Sequence, residues 1–216
     1  CQMGFAFDGD GDRLIALDKD GRIIDGDRIM AVLALAYQKQ GLLKGKSLVA
    51  TIMSNLGLDK FCEKNGITLY KTQVGDRYVL DKLISDNLVL GGEQSGHIIL
   101  RDHQTTGDGL LSALALISAL DSLDMDLSQI DEVMTLYPQC LKNVPVLHEM
   151  KGKIMADTKL KDEIDRTEKA LDGRGRILVR ASGTEDLIRV MVEAETEDKA
   201  HEIADYFVNF IKESYN

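Results

Sequence analysis

Ser47-Leu48-Val49-Ala50-Thr51-Ile52-Met53 is the stretch on which the fold turns. It is a short apolar run that reads as a buried strand. On its C-terminal side, residues 58–64 read as a helix ending near Gly66, and 68–72 as a second strand. Residues 78–85 carry Val79, Leu80, Leu83 and Ile84 at helical spacing. Residues 88–90 and 98–100 read as strands on either side of a glycine-rich turn. Residues 110–123 then form a strongly apolar helix for which Asp108 is the natural cap. The order β-α-β-α-β-β-α predicts a three-layer α/β domain with a mixed sheet.

Working back towards the N-terminus, residues 3–7 are a strand that ends on Asp8-Gly9-Asp10-Gly11-Asp12-Arg13. Residues 14–17 are a second strand, Asp18-Lys19-Asp20-Gly21 is a turn, and 22–24 resume extended character. The acidic loop therefore joins two strands. Asp25-Gly26-Asp27-Arg28 echoes it, but directly precedes the apolar stretch 29–37, so an aspartate there reads as a helix cap.

Beyond residue 123 the pattern changes. Residues 121–128 are polar, and Pro138 and Pro145 are the chain's two prolines. Residues 141–146 read as a strand, 158–171 as a charged helix ending at Gly173, and 176–181 and 187–195 as strands around a tight loop. Residues 198–215 are an amphipathic closing helix with Ala200, Ile203, Ala204, Phe207 and Ile211 on its apolar stripe. This is a small α+β domain with two helices on a mainly antiparallel sheet.

At 216 residues the chain has room for one large domain or two small ones, and 44% hydrophobic with 29% charged residues is ordinary globular composition. A formal net charge of -10 argues against nucleic acid, whose binders need a basic surface. No apolar run approaches the ~18 residues of a membrane span. Cys1, Cys62 and Cys140 stand far apart without zinc spacing, which suits reduced thiols in the cytoplasm. The chain opens on Cys1 rather than Met, so an upstream segment is expected.

Three motifs carry chemistry. In an extended loop Asp8, Asp10 and Asp12 point to one side, where three like charges repel unless a cation lies between them. Oxygen-only donors suit a hard ion such as Mg²⁺. An EF-hand needs Gly at its sixth position and an acid at its twelfth; counted from Asp8 these are Arg13 and Lys19, so that reading fails. Gly91-Gly92-Glu93-Gln94-Ser95-Gly96-His97 sets a carboxylate and a hydroxyl on a turn, which suits a polyol, and His97 could move a proton. A polar turn with a structural histidine is the plainer alternative. Arg180-Ala181-Ser182-Gly183-Thr184-Glu185 supplies a guanidinium, two hydroxyls and exposed N–H groups, which is anion chemistry. Arg189 returns towards the same end. Val74-Gly75-Asp76-Arg77 is a helix start, or else sets Arg77 against a phosphate.

Taken in chain order, the acidic loop, then Val74-Gly75-Asp76-Arg77, then residues 92–97, then residues 180–185 resemble the motifs of the alpha-D-phosphohexomutases, and the resemblance spans nearly the whole chain. Residues 92–97, with Gln94, and 74–78 are most like the family's bacterial members acting on hexosamine phosphates. The resemblance implies that Asp8, Asp10 and Asp12 bind Mg²⁺, that Arg13 lies beside the phosphoryl group, and that His97 sits near the reacting oxygen. It implies that Glu93 and Ser95 hold sugar hydroxyls, and that Arg180, Ser182, Gly183 and Thr184 hold the phosphate that does not react, with Arg189 nearby. The implied reaction moves a phosphoryl group between two positions of a hexosamine through a phosphoserine and a bisphosphorylated intermediate. The phosphoserine segment, of Thr-Ala-Ser-His-Asn-Pro type, is absent. Residues 1–18 then read as the tail of a second domain, 19–125 as a third domain and 126–216 as a fourth, and the chain alone is expected to be inactive. The whole protein is expected in the cytoplasm, possible as a homodimer, with no nucleic-acid or membrane partner. A mutase for another hexose and a non-catalytic sugar-phosphate-binding protein are the alternatives. One position departs from the family: Asp186 stands where a proline is usual, adding negative charge beside the anion loop.

Overall fold

A computed structural model describes residues 1–215. The chain divides into two compact units, the first ending at Leu136 and the second beginning at Tyr137. The first unit starts with an antiparallel sheet of β1 (Met3–Phe7), β2 (Leu14–Asp18) and β3 (Ile23–Ile24), in the order β1-β2-β3. Helix α1 (Gly26–Lys39) follows, with Asp25 as its N-cap accepting from the Arg28 N–H. The second acidic repeat is thus a capping device, as its position before an apolar run predicts.

A four-stranded sheet forms the centre of the unit: β4 (Ser47–Thr51), β5 (Thr68–Thr72), β6 (Leu90–Gly92) and β7 (Ile98–Leu100), in the order β5-β4-β6-β7. β4 runs parallel to β5 and β6, and β6 is antiparallel to β7, so the sheet is mixed. The third strand begins two residues later than its apolar run suggests, because Gly91 and Gly92 take the ladder positions. Between the strands lie α2 (Leu56–Asn65) and α3 (Asp76–Ser85), and α4 (Gly109–Leu123) follows β7.

Every residue of β4 is buried. Leu48 and Ala50 enter the main core with α1, α2 and α4, whereas Val49 joins Val79, Leu83, Leu88 and Ile99 in a second core against α3. Covering both faces explains why the strand reads as a continuous apolar run. A short helix, α5 (Ile130–Val133), closes the unit. Leu127, Ile130 and Met134 are buried in its core, so this unit extends past residue 125, where the sequence reading places the end of its domain.

The second unit is an antiparallel sheet of β8 (Gln139–Pro145), β9 (Gly175–Ala181) and β10 (Leu187–Ala194), in the order β8-β10-β9. Beside the two expected helices, α7 (Thr158–Leu171) and α8 (Glu197–Tyr215), there is a third, α6 (His148–Ala156). Ile154, Leu160, Ala200, Ile203, Ala204, Phe207 and Ile211 pack with Ile177, Val179, Ile188, Val190 and Val192 in one core. Among the described residues no helix is long and apolar enough to cross a membrane. Cys62 lies in the core of the first unit, and burial pushes its thiol up to about 12, so it is inert packing.

Candidate functional site

The acidic loop spans the turn between β1 and β2, and it is clamped by two remote segments. Leu14 N–H donates to the Gly96 carbonyl (3.0 Å), and Arg13 and His97 form an isolated antiparallel bridge. Gly109 N–H donates to the Gly11 carbonyl (2.9 Å), which sets the N-terminus of α4 against the loop. Gly26 N–H donates to the Gln94 carbonyl (2.9 Å), which ties the Glu93-to-His97 turn to the start of α1. None of these segments has room for a side chain. A Cβ on Gly26 would lie 2.1 Å from the Glu93 carbonyl oxygen, one on Gly96 2.1 Å from that of Leu14, and one on Gly109 2.6 Å from that of Arg13.

Within this frame Asp8, Asp10 and Asp12 converge, with one oxygen from each lying within 4.8 Å of the others. Asp8 and Asp10 are exposed and Asp12 is half-buried. Arg13 donates its N–H to Asp8 Oδ1 (3.2 Å), and its Nε lies 3.6 Å from Asp8 Oδ2. Desolvation pushes the Asp8 carboxyl up, but the Arg13 N–H, the Asp12 carboxyl and the Arg13 charge together hold it below the ordinary carboxylate value. The two oxygens of Asp12 differ. Oδ2 lies 3.1 Å from His97 Nδ1, while Oδ1 is buried with no hydrogen-bond partner, 4.0 Å from Arg13 Nε. A buried carboxylate oxygen without a donor is costly, and a cation among the three aspartates would satisfy it. The donor set, all oxygen and anionic, fits Mg²⁺.

The Glu93-to-His97 turn sits beside this cluster. Glu93 is half-buried, and its Oε1 accepts from the Gly75 N–H (2.9 Å), leaving the second oxygen without a partner among the described residues. Gly75 has φ 129, a backbone region that glycine tolerates best. Ser95 is exposed, and His97 is buried. Arg77 points away, 86% exposed, with only Asp81 at 3.8 Å.

The second loop, in the other unit, connects β9 to β10. Arg180 stands directly across the ladder from Arg189. Like charges so placed repel, and Arg180 has no acidic partner among the described residues. Burial pushes the Arg180 guanidinium below its ordinary value, and the Arg189 charge adds to this. Arg189 is part-neutralised by Glu185 (2.8 Å), but its Nε is buried without a partner. Ser182 is buried, its hydroxyl accepts from the Glu185 N–H (3.2 Å), and its own N–H closes the turn on the Leu187 carbonyl (3.0 Å). Gly183 and Thr184 are exposed, and their N–H groups have no partner among the described residues. The loop thus gathers two guanidinium groups and two N–H donors without a partner among the described residues, a donor set that suits an anion.

Asp186 is paired with α6. Its Oδ1 lies 2.8 Å from His148 Nδ1 and 3.9 Å from Lys151 Nζ, both on α6, and Lys151 also donates to the Glu185 carbonyl (2.9 Å).

The sequence reading did not single out Gly26, Gly75, Gly107 or Gly109 for the site. The signal for two of them was present, since Gly107-Asp108-Gly109 brackets the α4 cap with glycines that a cap does not need.

A carboxylate cluster on a β-turn-β loop lies in an α/β unit, and a loop with two facing arginines lies in the α+β unit that follows. The chain belongs to the phosphoglucomutase/phosphomannomutase family: residues 25–137 match the model of its alpha/beta/alpha domain III and residues 141–210 that of its C-terminal domain. Among its relatives, phosphoglucosamine mutase of Caldanaerobacter subterraneus is 48% identical over 216 residues, covering all of this chain and 48% of the relative. That of Clostridioides difficile is 47% identical over 213 residues, again 48% of its length. The chain thus spans about half the length of the curated relatives it matches. In fold it resembles an N-acetylglucosamine-phosphate mutase solved in its product complex (TM-score 0.81, 24% identity, 97% of this chain and 48% of the other). It also resembles Aspergillus fumigatus N-acetylphosphoglucosamine mutase in complex with GlcNAc-6P and magnesium (TM-score 0.78, 23% identity, 98% and 49%).

Proposed function

We propose that this chain is the C-terminal half of a phosphoglucosamine mutase, and that the whole protein interconverts glucosamine 6-phosphate and glucosamine 1-phosphate. The observation that carries the reading is the Asp8, Asp10 and Asp12 cluster, with its orphaned Asp12 oxygen, beside a turn that presents Glu93 and Ser95. The choice of sugar rests on the names of relatives that are nearly half identical over the whole chain.

Asp8, Asp10 and Asp12 would hold Mg²⁺, which when bound supplies positive charge to the phosphoryl group in transfer. Arg13, anchored on Asp8, adds a guanidinium at the same place. The free oxygen of Glu93 accepts from a sugar hydroxyl, and Ser95 can both donate and accept. Arg180, with Arg189 and the N–H groups of Gly183 and Thr184, grips the phosphate that is not transferred, and the Ser182 hydroxyl shapes that loop. The phosphoryl carrier is a serine in the other half of the protein. A cytoplasmic location, and a dimer built through that other half, complete the proposal.

The test is an exchange assay with glucosamine 6-phosphate and a glucose bisphosphate activator. The full-length protein should turn over, the 216-residue chain should not, and Asp10→Ala should abolish turnover in the full-length protein. Preference for glucose or mannose phosphates would assign the sugar differently. Turnover by the chain alone would refute the phosphoserine route.

A further inference from the structure

We infer that Asp76 reads the amino group of the sugar: its carboxylate takes the ammonium at C2 and so sets glucosamine phosphates apart from those of neutral hexoses and N-acetylated sugars. This rests on the sugar-phosphate site proposed above and deepens it.

In Val74-Gly75-Asp76-Arg77 the arginine points away towards Asp81, which leaves Asp76 as the charged group that can serve the site. Asp76 opens α3, and a helix N-terminus favours an anion, so many aspartates stand at such positions for that reason alone. What distinguishes this one is where α3 begins. Gly75 N–H donates to Glu93 Oε1 (2.9 Å), so the residue before Asp76 is tied to the carboxylate of the sugar turn. Asp76 Oδ2 comes to 3.9 Å from His97 Nε2, on a ring whose Nδ1 lies 3.1 Å from Asp12 Oδ2. Asp76 is thus one imidazole ring away from the acidic cluster and one backbone link away from Glu93.

The other carboxylates nearby are engaged. One oxygen of Glu93 takes the Gly75 N–H, Asp25 accepts from the Arg28 N–H and from Gln94, Asp81 faces Arg77, and Asp8, Asp10 and Asp12 form the cation cluster. Asp76 has no lysine or arginine partner among the described residues, and its side chain is 61% exposed, open to a ligand. Glucosamine carries a primary amine on C2, protonated near neutral pH, next to the C1 oxygen that exchanges the phosphoryl group. A sugar that offers this oxygen to the acidic cluster brings its ammonium alongside. There the ammonium donates to a carboxylate that attracts it, an attraction that a neutral hydroxyl or acetamido group does not gain.

The test follows exchange by the full-length protein with glucosamine 6-phosphate, N-acetylglucosamine 6-phosphate and glucose 6-phosphate, and reads the ratios of kcat/KM. The ratios cancel whatever a variant does to the phosphate and metal contacts, which the three sugars share. Asp76→Asn should lower the preference for glucosamine over both competitors by about fivefold or more, while Asp76→Glu should keep most of it. If the unaltered protein prefers glucose or N-acetylglucosamine phosphate, the proposed substrate and the role of Asp76 fall together. If it prefers glucosamine and Asp76→Asn leaves the ratios as they were, the role of Asp76 alone is overturned. A measurement on the unaltered protein guards against a variant that does not fold. A carboxylate–ammonium pair this exposed is screened by salt, so the preference for glucosamine over glucose should shrink as ionic strength rises from about 0.02 M to about 0.5 M. A preference indifferent to salt would overturn the pairing.

Discussion

The acidic loop and the loop between β9 and β10 are held in different ways. Residues 8–13 are held by the Glu93-to-His97 turn and the start of α4, where Gly96 and Gly109 leave no space for a methyl group, while Cβ atoms on the loop's own Gly9 and Gly11 would meet nothing within 4 Å. Residues 182–186 project from a single hairpin, with nothing within 4 Å of a Cβ on Gly183, and are steadied by side chains: Ser182, Lys151 and the His148–Asp186 pair. Holding three carboxylates together against their repulsion takes a rigid frame.

The largest effect that would break this contrast is steric. Gly26→Ala forces a methyl group onto the Glu93 carbonyl and should destabilise the first unit by about 3 kcal/mol or more. Gly183→Ala should change stability by no more than about 0.5 kcal/mol. Chemical denaturation of both variants measures this, and equal losses would show that the two loops are equally constrained.

An intermediate effect separates the chemistry of the loops. Arg180→Ala should weaken sugar-phosphate binding about tenfold or more, since charge-assisted hydrogen bonds contribute roughly 1.5–3 kcal/mol each. Arg180→Lys should recover little of it, because an ammonium cannot form the guanidinium fork. The loss should be alike for glucosamine, glucose and mannose phosphates, whereas Ser95→Ala should reorder them. Competition titration of the three phosphates decides it; a reordering by Arg180→Ala would mean the roles are exchanged.

The smallest effect concerns Asp186. Its N–H has no partner among the described residues, so Asp186→Pro removes no backbone hydrogen bond. The lost pair to His148 is solvent-exposed, with side chains 62% and 81% accessible. Stability should change by less than about 1 kcal/mol, and phosphate affinity should rise slightly with the removed charge. Thermal unfolding with and without phosphate tests it, and a large loss would make the α6 contact a structural requirement of the loop.

The sequence by itself determined most of the elements and the residue types that both loops carry. Strand and helix periods, the Asp25 and Asp108 caps and the three-acid spacing are local, so they can be read within a window of a few residues. Helix α6 escaped notice because Gly152 interrupts it and its buried positions are Lys151 and Ile154. A lysine is buried there only because the Glu185 carbonyl, far along the chain, accepts from it. The same physics decided the site. That Asp12 meets His97, that the Gly107 N–H donates to the same ring, and that Gly26 underlies Glu93 depend on segments distant in sequence closing around one loop. Residue types announce which groups can bond, but only the packed chain decides which donor reaches which acceptor, since that choice is made by long-range steric fit and leaves no period in the sequence.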